Sequence, residues 1–185
     1  MKKIFFLIFF ALLPFLIPEP AHAEQINSFD ATYAIKQNGT VGVEEKIPYD
    51  FGGTDHHGIY RTLPLTKTNI DGKSYRMSAD NFSVSDENGT PYNFTTSDDN
   101  GTVTLQIGDA NKTITGQHEY SIDYTLSGAL TYFSDHDELN WNVTGNGWQV
   151  PIGSATASVT FPSQLTSSDV KLICYTGISG STAQN

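Results

Sequence analysis

The sequence predicts an all-β domain built as a two-sheet antiparallel β-sandwich, with a closed barrel as the alternative. Three observations predict it. From Phe29 onward, aromatic and β-branched residues alternate with polar ones in short runs. After residue 23 no stretch sustains the 3.6-residue period of an amphipathic helix. Between the runs stand Asn38-Gly39, Asp71-Gly72, Asn88-Gly89 and Asn100-Gly101, pairs that tolerate positive φ and let a strand reverse. About nine short strands in one layer would leave an apolar face open to water, so a second layer is needed, in an immunoglobulin-like arrangement.

Residues 1–23 are read as a signal peptide. Lys2 and Lys3 precede an apolar run from Ile4 to Ile17, and Ala21-His22-Ala23 supplies small residues at the cleavage positions. The run is 14 residues long, short of the roughly 20 that a spanning helix needs, and Pro14, Pro18 and Pro20 discourage its extension. Export is expected, with the mature chain beginning at Glu24. Cleavage removes Lys2, Lys3 and Glu19 from ten basic and twenty acidic residues, leaving eight and nineteen, a net charge of −11. Such a chain has no basic stripe for nucleic acid and little attraction to anionic lipid. Residues 24–185 fit one extracytoplasmic domain.

The strands follow in order. Phe29, Ala31, Tyr33 and Ile35 share one face of the first, and Val41, Val43, Glu45, Ile47 and Tyr49 share one face of the second. Further runs lie around 58–66, 74–86, 91–96 and 102–107. A long one, 113–126, carries Tyr120, Ile122, Tyr124 and Leu126 on one face, and runs at 138–144, 154–161 and 170–175 close the series.

Two clusters carry candidate chemistry. The stretch 50-DFGGTDHHGIYR-61 gathers Asp50, Asp55, His56 and His57, but adjacent residues of an extended chain point to opposite faces, so the two histidines are not expected to share a metal. A solvated turn hinged on Gly52, Gly53 and Gly58 is the plainer reading. In 134-SDHDELNWNVTGNGWQVP-151, Asp135, His136, Asp137 and Glu138 offer oxygen ligands at calcium-like density without an EF-hand frame; they are read as an acidic loop, with an ion site as the alternative. Leu139, Trp141 and Val143 fall on one face of that run, which expects Trp141 in the core between the sheets. Seven Asn-x-Ser/Thr triplets occur, and three of them coincide with Asn-Gly turns; they are read as turn chemistry. No His-Glu-x-x-His, Gly-x-Ser-x-Gly or paired-cysteine motif appears, and no metal or cofactor is expected. Cys174 is the single cysteine.

The order of 26-INSFDATYAIKQNGTVGVEEKIPYDF-51, 58-GIYRTLPL-65, 120-YSIDYTLSGAL-130, 138-ELNWNVTGNGWQVPI-152 and 174-CYTGISGS-181 resembles the amino-terminal region of the DUF2207 family of predicted membrane proteins. Asn140 departs from the aromatic residue more usual there. The resemblance implies an exported β-rich domain followed by membrane helices beyond residue 185, a sandwich truncated at its C-terminus, and no established activity. It moves attention from the histidines to a core motif of Gly58, Tyr60, Leu139, Trp141 and Trp148. Glu45 and Arg61 match too: an inward Glu45 needs a partner, and Arg61 is one of two arginines able to offer a fork. A Cys-x-Thr-Gly-x-x-Gly-Ser segment like that at Cys174 tends in the family to precede a second cysteine, which implies a disulfide half whose partner falls past the chain's end. The expected function is a non-enzymatic interaction or sensing domain for an unknown protein or envelope ligand. A carbohydrate-binding surface of Tyr60, Tyr132, Trp148 and the acidic loop is the first alternative, and a hydrolase pairing Asp or Glu with His the second.

Overall fold

Residues 23–68, 72–163, 165–166, 168–177 and 183–184 are described by the structure, a computed structural model. Its largest sheet grows from the first hairpin. β1 (Gln25–Ile26), β2 (Phe29–Ile35) and β3 (Val41–Asp50) come in sequence, and β2 and β3 pair antiparallel with Tyr33 opposite Val43. The turn between them closes on Gly39 at φ 80° while Asn38 Oδ1 accepts from the Thr40 amide at 3.1 Å. Alternation buries Phe29, Ala31 and Tyr33 together with Val41, Val43, Glu45 and Ile47 on one face.

The chain then builds β4 (Gly58–Pro64), β5 (Thr66–Thr68), β6 (Ser74–Arg76), β7 (Ser78–Ser85), β8 (Phe94–Asp99) and β9 (Thr102–Gly108). β4, β9 and β8 form a three-stranded sheet in that order, and β5 and β6 form a separate ribbon. The run expected at 74–86 divides because the Met77 amide turns to the Leu65 carbonyl, 2.8 Å away, rather than joining β6 to β7. β10 (Gln117–Ser127) returns to the large sheet between β3 and β7. Where β7 meets β10 the register shifts, with Asn81 at φ 59° forming a bulge in which two residues face one. β11 (Leu130–Tyr132) and β12 (Asp137–Leu139) make a small ribbon, and β13 (Ala155–Thr160) completes the large sheet in the order β13-β2-β3-β10-β7, with β1 also on β3. β14 (Tyr175–Thr176) pairs with β15 (Ala183–Gln184).

The inner face of the large sheet meets Ile59, Arg61 and Leu63 of β4 and Val103, Leu105 and Ile107 of β9 in one buried cluster. The fold is therefore all-β and sandwich-like, with strands in several sheets. Three expectations need correction. β13 runs parallel to β2, so the sheet is mixed rather than purely antiparallel; the connection from β12 delivers the chain to the same end at which β2 starts, with Ile26 bridging Ile152. The run expected at 138–144 is a strand only to Leu139, for a reason that lies in Arg61. The run expected at 170–175 forms no long strand, and Leu172 and Ile173 stand exposed.

Candidate functional site

Glu45 on β3 and Arg61 on β4 point inward by strand alternation from the two facing sheets. Arg61 Nε donates to Glu45 Oε2 at 2.7 Å and Nη2 to Oε1 at 2.6 Å, while Tyr124 Oη of β10 donates to Oε1 at 2.7 Å. Side-chain exposures of 1% and 0% place the pair fully out of water. A buried charge pair survives only if its remaining donors are satisfied. Nη1 of Arg61 donates to the carbonyls of Thr62 (3.2 Å) and Thr144 (2.8 Å), and Nη2 also to that of Val143 (3.1 Å). The guanidinium carbon lies 5.1 Å from the Phe29 ring centroid, a cation–π contact. Burial works against the guanidinium charge, but the Glu45 carboxylate outweighs it and holds the Arg61 pKa above its ordinary value.

The same arginine explains the irregular backbone after Leu139. The carbonyls of Val143 and Thr144, which a strand would give to a neighbour, go to Arg61 instead. Asn142 Oδ1 accepts from the Gly145 amide at 3.0 Å and tightens the turn, and Trp148 Nε1 donates to the Thr144 carbonyl at 2.8 Å. Gly145 sits at φ 74°, and a Cβ there would meet Arg61 Nη1 at 2.6 Å; at Gly147 it would meet Thr62 Oγ1 at 2.3 Å. Segment 140–148 is thus clamped onto β4 by one buried cation.

Around the clamp the other singled-out residues fall as follows. Gly58 lies opposite Gly108, both near φ 135°, and a Cβ on either would come within 1.9 Å of a carbonyl oxygen of the facing chain. Gly108 carried no signal in the sequence. Tyr60 points outward, 60% exposed. Leu139, Trp141 and Trp148 pack, half-buried, against the core; Trp148 meets Phe29 and Tyr49, both at 6.3 Å between centroids. The structure therefore corrects two readings. Trp141 lies on a loop at the margin of the core rather than on a strand between the sheets, and Trp148, half-buried against Phe29 and Tyr49, does not share the exposure of Tyr60 and Tyr132. Tyr33 Oη and Trp141 Nε1 are buried without a hydrogen-bond partner in good geometry.

His56 and His57 diverge. His56 stacks on Phe51 with centroids 4.9 Å apart and places Nε2 3.5 Å from Glu24, whereas His57 Nδ1 donates to the Lys112 carbonyl at 2.8 Å. Asp135, Asp137 and Glu138 are exposed and spread along the β11–β12 ribbon, with Asp135 engaging His136 at 2.9 Å. Among the described residues no three His, Cys, Asp or Glu side chains gather as a cation site requires. Cys174 is exposed and free, and Gly180 of the segment after it lies outside the described residues.

Sequence reasoning missed a groove of about 440 Å³ between the β5–β6 and β11–β12 ribbons. Thr66 and Thr68 line one wall, Thr131 and Phe133 another, and Asn140 and Trp141, at the head of the clamped segment, close it. Asn140 was marked only as a departure from the family pattern, and the groove forms from short ribbons whose approach no local pattern encodes.

What fold and site define together is a β-rich domain with a rigid polar clamp in its centre and an open groove beside it. The chain belongs to the DUF2207 family: the model of the predicted membrane protein (DUF2207) N-terminal domain matches residues 25–185. The uncharacterized protein YciQ of Escherichia coli (strain K12) is 27% identical over 168 residues, which is 90% of this chain and 26% of YciQ, so the chain spans about a quarter of that relative's length. Two structures of native leukotriene A4 hydrolase from yeast, one specified as Saccharomyces cerevisiae, are each 10% identical. They align over 75% and 79% of this chain and 23% and 26% of theirs, with TM-scores of 0.46 and 0.42, a likeness too low to carry an argument. No helix among the described residues is long and apolar enough to cross a membrane.

Proposed function

We propose that this chain is the non-enzymatic, extracytoplasmic interaction domain of a membrane-anchored protein, exported by residues 1–23 and attached to the membrane by segments beyond residue 185, and that it holds an envelope ligand in the groove beside segment 140–148. The observation that carries the reading is the Arg61 clamp. Of the five hydrogen bonds that one buried side chain donates, two hold the irregular segment that closes the groove, through the carbonyls of Val143 and Thr144, and the other three fix the guanidinium to Glu45 and Thr62; a binding surface gains from being fixed before its ligand arrives. The Glu45 carboxylate accepts three hydrogen bonds in a closed, water-free setting, which suits holding a fold and leaves no oxygen facing a substrate.

The reading is tested by sedimenting the purified protein with isolated cell envelopes. Binding by the unaltered chain and its loss in Asn140→Arg, which fills the groove from an exposed position, is the expected outcome. Equal binding by both proteins removes the groove from the function. Turnover of envelope polymer by the protein, abolished in a carboxylate variant, would replace an interaction domain with a hydrolase.

A further inference from the structure

The groove has a composition that narrows what it can hold. Three threonines and the amides of Asn140 and Asn142 line it, together with carbon surface from Phe133 and Trp141. Side-chain amides and hydroxyls each donate and accept, so they can pair with groups that also do both. Asn140 is exposed, lines the groove and has no side-chain hydrogen-bond partner among the described residues. Asn142, by contrast, is engaged with Gly145 and Asn146 and serves to shape the wall. The charges fit neither an anion nor a cation. Lys67 is the one cation among the lining residues, and its ammonium donates to the Ala129 carbonyl at 3.1 Å; Glu138 stands on the opposite wall, and the whole chain carries a net charge of −10. An anionic polymer would be repelled by the chain at large with no basic cluster to draw it in.

Alternating hydroxyls and apolar ring faces, with no net charge, are the chemistry of a neutral saccharide. We propose that the groove binds a short stretch of neutral glycan, with Asn140 bonding ring hydroxyl or acetamido groups and the Phe133 and Trp141 carbon surface packing on the sugar's apolar face. The proposal rests on the interaction-domain reading and names its ligand class. It differs from a sugar platform of exposed aromatics, because Tyr60 takes no part in the groove.

The test is a titration of the isotopically labelled protein, followed by NMR, with tetra-N-acetylchitotetraose and maltotetraose as neutral probes, polygalacturonate as an anionic one and an uncharged Ala-Gly peptide as a polypeptide one. A neutral oligosaccharide is expected to shift the Trp141 indole N–H and the Asn140 side-chain amide, with little dependence on salt. Asn140→Ala, whose fold is checked by its melting temperature, should weaken that binding by about tenfold, the loss of one good hydrogen bond. Tyr60→Ser should leave it unchanged. Absence of shifts with both sugars, shifts with polygalacturonate or the peptide alone, or binding lost in Tyr60→Ser and kept in Asn140→Ala would each overturn the proposal. If no sugar binds while Asn140→Arg still abolishes envelope sedimentation, the ligand class is wrong and the interaction domain stands. If sedimentation is indifferent to Asn140→Arg, the broader reading falls as well.

Discussion

Arg61 joins three parts of the chain by hydrogen bonds of one side chain: β3 through Glu45, its own β4 through Thr62, and the segment after β12 through Val143 and Thr144. Arg61→Met should leave Glu45 buried without its counter-charge and cost about 3–5 kcal/mol in urea unfolding. A double change, Glu45→Met with Arg61→Met, removes the charge problem but also the donor on the Val143 carbonyl. It should recover only part of the loss, with protease cutting appearing between residues 140 and 148; full recovery without such cutting would show that the clamp adds nothing beyond charge balance. Arg61→Lys should fall between the two, since an ammonium lacks the planar fork.

Three buried phenols belong to the same scale. Burial, then the nearby Glu45 charge, raises the pKa of Tyr33 and Tyr124, and burial, then Tyr92, raises that of Tyr120. A phenol whose folded pKa lies above its unfolded value near 10 supports the fold fully below pH 10 and ceases to do so as pH rises towards the folded value. Melting temperature should therefore fall steeply above pH 10. Tyr33→Phe should flatten the fall, because it removes one of the phenols whose ionisation burial opposes and whose hydroxyl makes no hydrogen bond of good geometry among the described residues. An equally steep fall in that variant would point to other groups.

Among the elements, the turn at 143–148 is irregular and is held from outside by Arg61. Gly145→Ala puts a Cβ at positive φ and against Arg61 Nη1, so both backbone strain and displacement of the guanidinium follow; a loss of about 1–3 kcal/mol is expected. Calorimetry checks it, and a stability equal to the native chain's would mean that the turn can re-form without the contact. Much of this level could be read in advance. The alternation that places Phe29, Ala31 and Tyr33 against Val41, Val43 and Ile47 is local, as is the Asn38-Gly39 turn, and both depend on neighbours in sequence. Glu45 and Arg61 could be put together because an inward carboxylate needs a cation and few were available. The three carbonyl acceptors could not, since any backbone carbonyl has the same chemistry. For that reason the 138–144 run looked like a strand: its side chains alternate as a strand's do, and only the distant arginine diverts its hydrogen bonds. The groove was out of reach for a related reason, as its walls come from two ribbons, β5–β6 and β11–β12, of three residues a strand.

At the scale of the whole molecule, strands paired on both sides should differ from edges in how they open. β3 and β10 lie inside the six-stranded sheet, while β13 is an edge whose residues are almost all exposed. Hydrogen exchange should show β3 and β10 amides opening only with global unfolding and β13 amides opening locally and faster. Uniform protection across the three would mean that β13 is covered by something further. Fold class was legible because composition and turn spacing act over the entire chain. The parallel placement of β13 was not, because direction depends on where a long connection re-enters the sheet, and nothing in the strand Ala155–Thr160 itself distinguishes one direction from the other.

That late strand also sets a clock. Asp30 Oδ1 of β2 accepts from Thr156 Oγ1 of β13 across a separation of 126 residues, at 2.5 Å, and the strands run side by side from Phe29–Ala155 to Ala34–Thr160. A ribosome makes β2 first, and at about 5–20 residues per second β13 follows only several seconds to tens of seconds later. Throughout that interval one side of the nascent β2 presents unsatisfied amides and carbonyls to whatever is nearby, including another chain in the same condition. The largest sheet cannot be completed until nearly all of its sequence has been synthesised, so a holding chaperone would have most to protect at its very beginning.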